Sequence, residues 1–204
     1  MLSLGRFRTA WGLLHKLRRA MVRPGRDRLT GTVEVDETYW GGHEEGVAGR
    51  LTYDKALLMI AAQVEGTGLG RIRLGRIPAA TQATLHGFIA QVIEPGAVVR
   101  TDGLNLYQGL VGYRHEWRVR GPDPKAASLL LPRVHLVASL LKRWLLGTHQ
   151  GAIGHDYLDY YLDEFTFRFN RRKSASRGKL FYRLVQQAAR VPPATFDDIT
   201  HHHR

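Results

Sequence analysis

The 204-residue chain of 23.1 kDa has room for one sizeable core and a small appendage, not for two ordinary domains. Its 44% hydrophobic and 24% charged residues exclude wholesale disorder and collagen-like repetition, and its lack of cysteine excludes disulfide scaffolds, Cys-ligated zinc and thiol catalysis. Lys and Arg number 30 against 18 Asp and Glu, a formal charge of +12 with a pI near 10.5, so a polyanion is the expected partner and nucleic acid comes first.

No apolar run approaches the ~18 residues of a spanning helix, and the N-terminus lacks the long apolar stretch of a signal peptide. The expected location is the cytoplasm, with no membrane partner. Charge is uneven along the chain: Met1 to Arg28 holds eight Lys/Arg against the single acid Asp27, and Arg168 to Arg190 holds eight against none.

In chain order, Trp11, Leu13, Leu14, Leu17 and Met21 recur at helical intervals and predict an amphipathic helix from about Arg8 to Met21, with Lys16, Arg18 and Arg19 on its wetter side. Pro24-Gly25 stops it. Alternation from Thr32 to Tyr39 predicts a strand, and Lys55 to Val64 and Gly70 to Ile77 complete a three-stranded meander after a polar, Gly-rich loop. Leu85, Phe88, Ile89 and Val92 mark a helix over about Ala80 to Ile93, closed by Pro95-Gly96. Ala97-Val98-Val99 reads as a buried strand broken at Asp102-Gly103. A short helix around Leu104 to Leu110, a strand around Arg114 to Val119 and a turn at Gly121-Pro122-Asp123-Pro124 follow. The remainder predicts helices over about Leu129 to Leu146, Asp156 to Arg172 and Lys179 to Ala189. A strand–helix–strand passage requires a parallel crossover, so this order predicts an α/β fold with a mixed sheet flanked by helices.

Side chains alternate along a strand, so Glu34 and Asp36 share one face while Val33 and Val35 share the other. A buried carboxylate in a central strand needs a cation, because leaving it unpaired costs several kcal/mol. Asp102 stands where a buried parallel strand should end, the usual ligand edge of an open α/β sheet. Two aspartates at neighbouring strand positions suit a hard cation such as magnesium. The plainer readings are a strand acid paired with an arginine for Asp36 and an Asp-Gly turn for Asp102.

Several segments together resemble a known family. Val33-Glu34-Val35-Asp36-Glu37-Thr38-Tyr39-Trp40-Gly41-Gly42, Thr101-Asp102-Gly103, Gly147-Thr148-His149-Gln150-Gly151 and Tyr161-Leu162-Asp163-Glu164-Phe165 through Arg172 are similar to bacterial transposases of the IS1595 (ISXO2-like) insertion-sequence family. The resemblance runs from about Thr9 to Leu184. It implies an RNase H-like catalytic domain, here with a five-stranded sheet and a short N-terminal helical segment, holding two divalent ions (Mg2+ or Mn2+) with Asp36 and Asp102 as the first two acidic ligands. It implies DNA cleavage at transposon ends and joining of the freed 3′-hydroxyl to target DNA, both in-line phosphoryl transfers. Homo-oligomers on DNA, associated with the nucleoid, are implied as well.

For the third site residue, alternatives stay open. His135 and Lys142 lie seven apart, ~20° short of two full helical turns, and match the spacing at which such families place a positioning residue and a phosphate-binding base. Many relatives carry Asn where this chain has Leu140, which puts the site's completeness in question. Glu164 is the second candidate, although it is four before Arg168 and an ordinary helix-surface pair would explain it. Alternatively neither serves, since His135 sits among Val134, Leu136 and Val137 and reads equally as a core histidine. His201 to His203 are excluded as a terminal tail.

Candidate DNA-binding residues are Lys142 and the adjacent Arg143, with Arg168, Arg171, Arg172 and Lys173 in a run that continues through Arg177, Lys179 and Arg183. Phosphate neutralisation there would give salt-sensitive, mainly sequence-independent affinity. The interleaved Phe169, Phe181 and Tyr182 are expected to face the core, because Phe165 and Phe169 recur at helical spacing. Relatives carry an upstream cysteine-rich zinc ribbon that this chain lacks, so residues 1–28 are expected to be a remnant of a helical DNA-binding region, with Trp11, Leu14 and Leu17 short of packing partners. Residues 29–190 then form the catalytic domain and 191–204 a tail. The leading expectation is a metal-dependent DNA transposase; the alternatives are a truncated, catalytically impaired remnant that only binds DNA, and a hydrolytic RNase H-like nuclease.

Overall fold

A computed structural model describes residues 5–23, 25–41, 55–118, 130–150, 153–176 and 178–200. Two compact units result, Asp27–Ala152 and the pair of segments Met1–Arg26 with Ile153–Arg204. The C-terminal helices thus group with the N-terminal helix and not with the sheet. The loop expected before Tyr53, the turn at 121–124, Arg177 and the terminal histidines lie outside the described residues.

The first unit holds β1 (Thr32–Trp40), β2 (Ala56–Glu65), β3 (Gly68–Ile77), α2 (Gln82–Val92), β4 (Val98–Asp102), β5 (Arg114–Arg118) and α3 (Pro132–His149), where α1 is reserved for the helix Phe7–Ala20 of the other unit. The sheet order is β3-β2-β1-β4-β5, so β3 and β5 are outermost among the described strands. β1 pairs antiparallel with β2 and parallel with β4, β2 pairs antiparallel with β3, and β4 parallel with β5. This is the RNase H-like arrangement: an antiparallel meander extended by parallel strands beside β1.

Each face of the sheet has its own cover. Val33, Val35, Met59, Ala61 and Val99 point to one side, where Leu85, Phe88, Ile89 and Val92 of α2 and the ring of Tyr107 close over them. A fully buried side chain of this kind contributes ~1.5–3 kcal/mol. Gly75 permits the close approach of α2, since a Cβ there would lie 2.9 Å from the Phe88 ring. Thr81 starts α2 with a reciprocal cap on Thr84, and Gly96, at φ +87°, turns the chain towards β4. On the opposite side α3 packs against β1 and β2 and buries Val134, Val137, Leu141 and Leu145. Covered on both faces, Ala56 to Ala62 is a continuous buried run, which is why it lacks alternation in the sequence.

The second unit packs α1 against α4 (Leu158–Phe169), α5 (Gly178–Ala188) and α6 (Phe196–Thr200). The helix expected from Asp156 to Arg172 is shorter, with a 3-10 turn at His155–Tyr157 before it, and α6 falls in the expected tail. Two expectations for α1 are corrected. Two members of its stripe have partners, Trp11 meeting Tyr157 edge-on at 5.0 Å and Phe196 at 5.9 Å and Leu17 packing on Phe167 and Leu184, whereas Leu14 is exposed as expected. Arg18 lies inside, not on the wetter side, because the carboxylate of Glu164 requires a cation there; its Nε donates to Glu164 Oε2 at 2.7 Å, and each side chain is 8% exposed. His15, one turn earlier, is buried among Trp11, Tyr157, Tyr160 and Tyr161. Burial first, and Arg18 second, lower its pKa to about 4.

Candidate active site

β1 and β4 run parallel with Thr32 opposite Val98, Val33 opposite Val99 and Glu34 opposite Arg100. The pairing ends at Glu34 and Arg100, and Asp36 and Asp102 each follow two residues later on the same side of their strands, the side covered by α3. One oxygen of each carboxylate is oriented by backbone: Asp36 Oδ1 accepts from the Glu37 amide at 2.9 Å, and Asp102 Oδ1 accepts from the Leu104 amide at 3.1 Å. The second bond closes the turn after β4, so Asp102 is a turn residue as well as a strand-end carboxylate.

Behind this pair, on the α2 face, stands Tyr107. Its hydroxyl donates to Glu37 Oε2 at 2.6 Å. Burial drives the phenol's pKa upward, followed by Glu37 and then by the charges of Asp36 and Asp102. Three carboxylates therefore act on one buried hydroxyl, which stays protonated and holds Glu37 by its hydrogen. Beside them Thr101 Oγ1 donates to the Asp102 carbonyl at 2.9 Å and meets His115 Nε2 at 2.8 Å. With the threonine proton so used, His115 contributes its Nε2–H, consistent with burial lowering its pKa. The arginine sharing the face of Asp102 is engaged elsewhere: Arg100 Nε donates to Glu116 Oε2 at 2.8 Å. That bond first, and Arg114 second, hold the Glu116 pKa down at about 2.

Glu34 anchors the helix over this face. It is 1% exposed. Its Oε2 accepts from the backbone amides of Arg133 and Val134 at 2.8 and 3.2 Å, and its Oε1 from Arg133 Nη1 at 2.9 Å. These amides belong to the first turn of α3, where helices leave N–H groups unpaired and favour negative charge. Arg133 also donates to the carbonyls of Gly66, Thr67 and Gly68, tying α3 to the β2–β3 turn. This is the cation that the buried strand carboxylate demands. Tyr107, Glu37 and Arg133 were not singled out by sequence reasoning; the hydrophobic run ending in Tyr107 just after Asp102-Gly103 is the one local signal for the tyrosine.

His135 is exposed on α3, Lys142 is half-buried with its ammonium pKa lowered by that burial, and Arg143 is exposed. Among the described residues no three His, Asp or Glu side chains come close enough together to hold a metal ion. Glu164, in the helical unit, takes Arg18 on one oxygen and Arg168 Nη2 on the other at 2.7 Å. Arg171 is half-buried and donates to the Phe167 carbonyl and to Gln187 on α5, while Arg172 donates to the Phe169 carbonyl and lies over its ring; Lys173 is exposed.

Residues 28–170 match the ISXO2-like transposase domain family, well over half of the chain. The chain belongs to that family. The match spans the whole sheet, so Asp36, Asp102 and α3 of this ISXO2-like transposase domain all fall inside it. Among solved structures, the cryo-EM structure of the simian T-cell lymphotropic virus intasome in complex with PP2A regulatory subunit B56 gamma is similar at 14% identity and a TM-score of 0.45, over 90% of this chain. The transposase domain corresponds to 60% of the length of that chain. No curated protein matches. Among the described residues of the transposase domain no helix is long and apolar enough to cross a membrane.

Proposed function

We propose that the chain is the catalytic domain of a DNA transposase that cleaves and joins DNA strands with the help of divalent metal ions. The observation that supports this reading is the parallel pairing of β1 with β4, with Asp36 midway along β1 and Asp102 closing β4, each two residues beyond the Glu34–Arg100 pair. The donor set fits the group: two carboxylates, each steered by a backbone amide, with the nearest same-face arginine committed to Glu116, present hard oxygen ligands to Mg2+ or Mn2+. When bound, such ions stabilise the attacking and departing oxygens of an in-line phosphoryl transfer.

The chain's own residues do the positioning. Tyr107 keeps Glu37, and with it the middle of β1, in place from the opposite face. Glu34 and Arg133 fix α3, so that His135, Lys142 and Arg143 approach the DNA from a rigid element. Lys142, Arg143, Arg168, Arg171, Arg172 and Lys173 supply positive charge for phosphates, in keeping with a net charge of +12. Several copies acting together on DNA, and transposon ends and target as substrates, belong to the same proposal.

The purified protein with Mn2+ is expected to nick or join DNA carrying the element's ends, and Asp36→Asn to abolish this; activity that survives the substitution defeats the assignment. A second reading, DNA binding without cleavage, is favoured by the net charge of +12, which serves phosphate binding whether or not metal is held. Salt-dependent binding with no metal-stimulated cleavage under any condition would select it.

A further inference from the structure

Helical spacing predicts core positions for Phe169, Phe181 and Tyr182 alike, and the structure separates them. Phe169 is buried with Phe165 and Phe167 on α4, whereas on α5 Phe181 is 71% exposed, Tyr182 62% and Val185 47%. Leu184 alone of that helix is buried. At ~100° per residue, Phe181, Val185 and Tyr182 succeed one another around α5 away from the Leu184 seam, and Lys179 and Arg183, both exposed, come next. Tyr182 thus stands in water beside Lys179 and Arg183, with Val185 and then Phe181 exposed further round the same short helix.

The surroundings are positive. From Arg168 to Arg190 the sequence has eight Lys/Arg and no acid. Arg171, bonded to Gln187 of α5 at 3.2 Å, has its pKa lowered by burial and then by the guanidiniums of Arg183 and Arg23. A second copy of the chain would bring the same charges to this helix and be repelled, whereas a polyanion is attracted. Bases inside a duplex are already stacked on one another, but unpaired bases at a cleaved or melted end offer free π-faces, and aromatic side chains next to cations are how proteins take them.

We infer that α5 is a binding site for unpaired DNA, with Phe181 and Tyr182 as the platform on which bases stack and Lys179 and Arg183 on the flanking phosphates. The inference rests on the reading that DNA is the substrate, and it adds the strand state that this helix selects. Because the four side chains are exposed, replacing them leaves the core of the unit intact.

The test is fluorescence anisotropy of the full chain with a labelled single strand of about 20 nucleotides and with the matching duplex, across a salt series. Phe181→Ala/Tyr182→Ala is expected to weaken single-strand binding at least about tenfold, within the range of base stacking, and duplex binding less than about twofold; Phe181→Trp/Tyr182→Trp should restore it. Lys179→Ala/Arg183→Ala should weaken both and reduce the single-strand salt slope by about 1.4. Equal losses on both substrates, or no loss on the single strand, overturn the site. So does a wild-type dimer in sedimentation that Phe181→Ala/Tyr182→Ala dissociates, since the face would then join two copies. Metal-dependent cleavage is measured on the same wild-type preparation. Selective single-strand loss without any cleavage keeps the site and sinks the transposase reading; cleavage without selective loss does the reverse.

Discussion

Glu34→Gln keeps the size of the side chain and removes its charge at the point where α3 is anchored. The native carboxylate accepts three hydrogen bonds, two from first-turn amides and one from Arg133, and is 1% exposed. A carboxamide can face an acceptor towards either the amides or the guanidinium, so a donor is left unpaired on one side and the Arg133 charge loses its partner. Breaking a buried pair from one side costs about 3–5 kcal/mol, against a total stability of about 5–15 kcal/mol for a domain. At ~2–4 °C per kcal/mol, Tm should fall by roughly 10 °C. Thermal and urea unfolding followed by circular dichroism measure this, and hydrogen exchange at the Arg133 and Val134 amides localises it. Glu34→Leu/Arg133→Met, which removes both charges together, should recover most of the loss. A loss below about 1 kcal/mol, or a double variant as unstable as the single, would show that the carboxylate does not hold the helix.

Asp36→Asn and Asp102→Asn should each lower metal-dependent strand cleavage at least ~100-fold while leaving metal-free Tm unchanged or raised, since each removes one of several carboxylate charges gathered around the neutral Tyr107 hydroxyl; a Tm rise with Mn2+ should vanish in both, as differential scanning fluorimetry will read. Glu164→Gln should destabilise by about 3 kcal/mol, with Arg18→Met/Glu164→Leu close to wild type; full stability with lost cleavage would move Glu164 from a packing role into the site. His15 titrates near pH 4 in the folded chain and near 6.5 when unfolded. Between those values the unfolded chain binds a proton that the folded one refuses, so stability should decline as pH falls through this window and level off below it, by ~3 kcal/mol at most. Urea midpoints across that range should flatten in His15→Phe if the caged imidazole is responsible.

Where a pattern is local, the chain is legible. β1 was predictable from alternation, α2 from four apolar positions and a Pro-Gly stop, and β4 from a short apolar run ending in Asp-Gly; the order of these elements restricts the sheet to few topologies. Asp36 and Asp102 could be nominated because each sits at a strand position whose neighbours are readable. What could not be read is pairing across long separations. Glu34 finds Arg133 99 residues away, and Arg18 finds Glu164 at 146, and no periodicity encodes either bond. Arg18 looks like a surface base on α1 until the carboxylate that draws it inside is placed. The five-residue α6 is too short for a helical pattern to register, yet its Phe196 lies 3.1 Å from where a Cβ on Gly12 would stand, so a glycine in α1 was the trace of a helix that could not be seen.

The two rims of the sheet bear on how copies of the protein can gather. The outermost strands of a sheet are where another strand can be added. Here β3 carries Arg71, Arg73 and Arg76, and Arg73 spends its guanidinium on the carbonyls of Ile72 and Asp27, while β5 is only five residues long and braced by Arg114 and Glu116. Growth of the sheet into fibrils or strand-swapped pairs is thereby discouraged at both rims, by charge on one side and by brevity on the other.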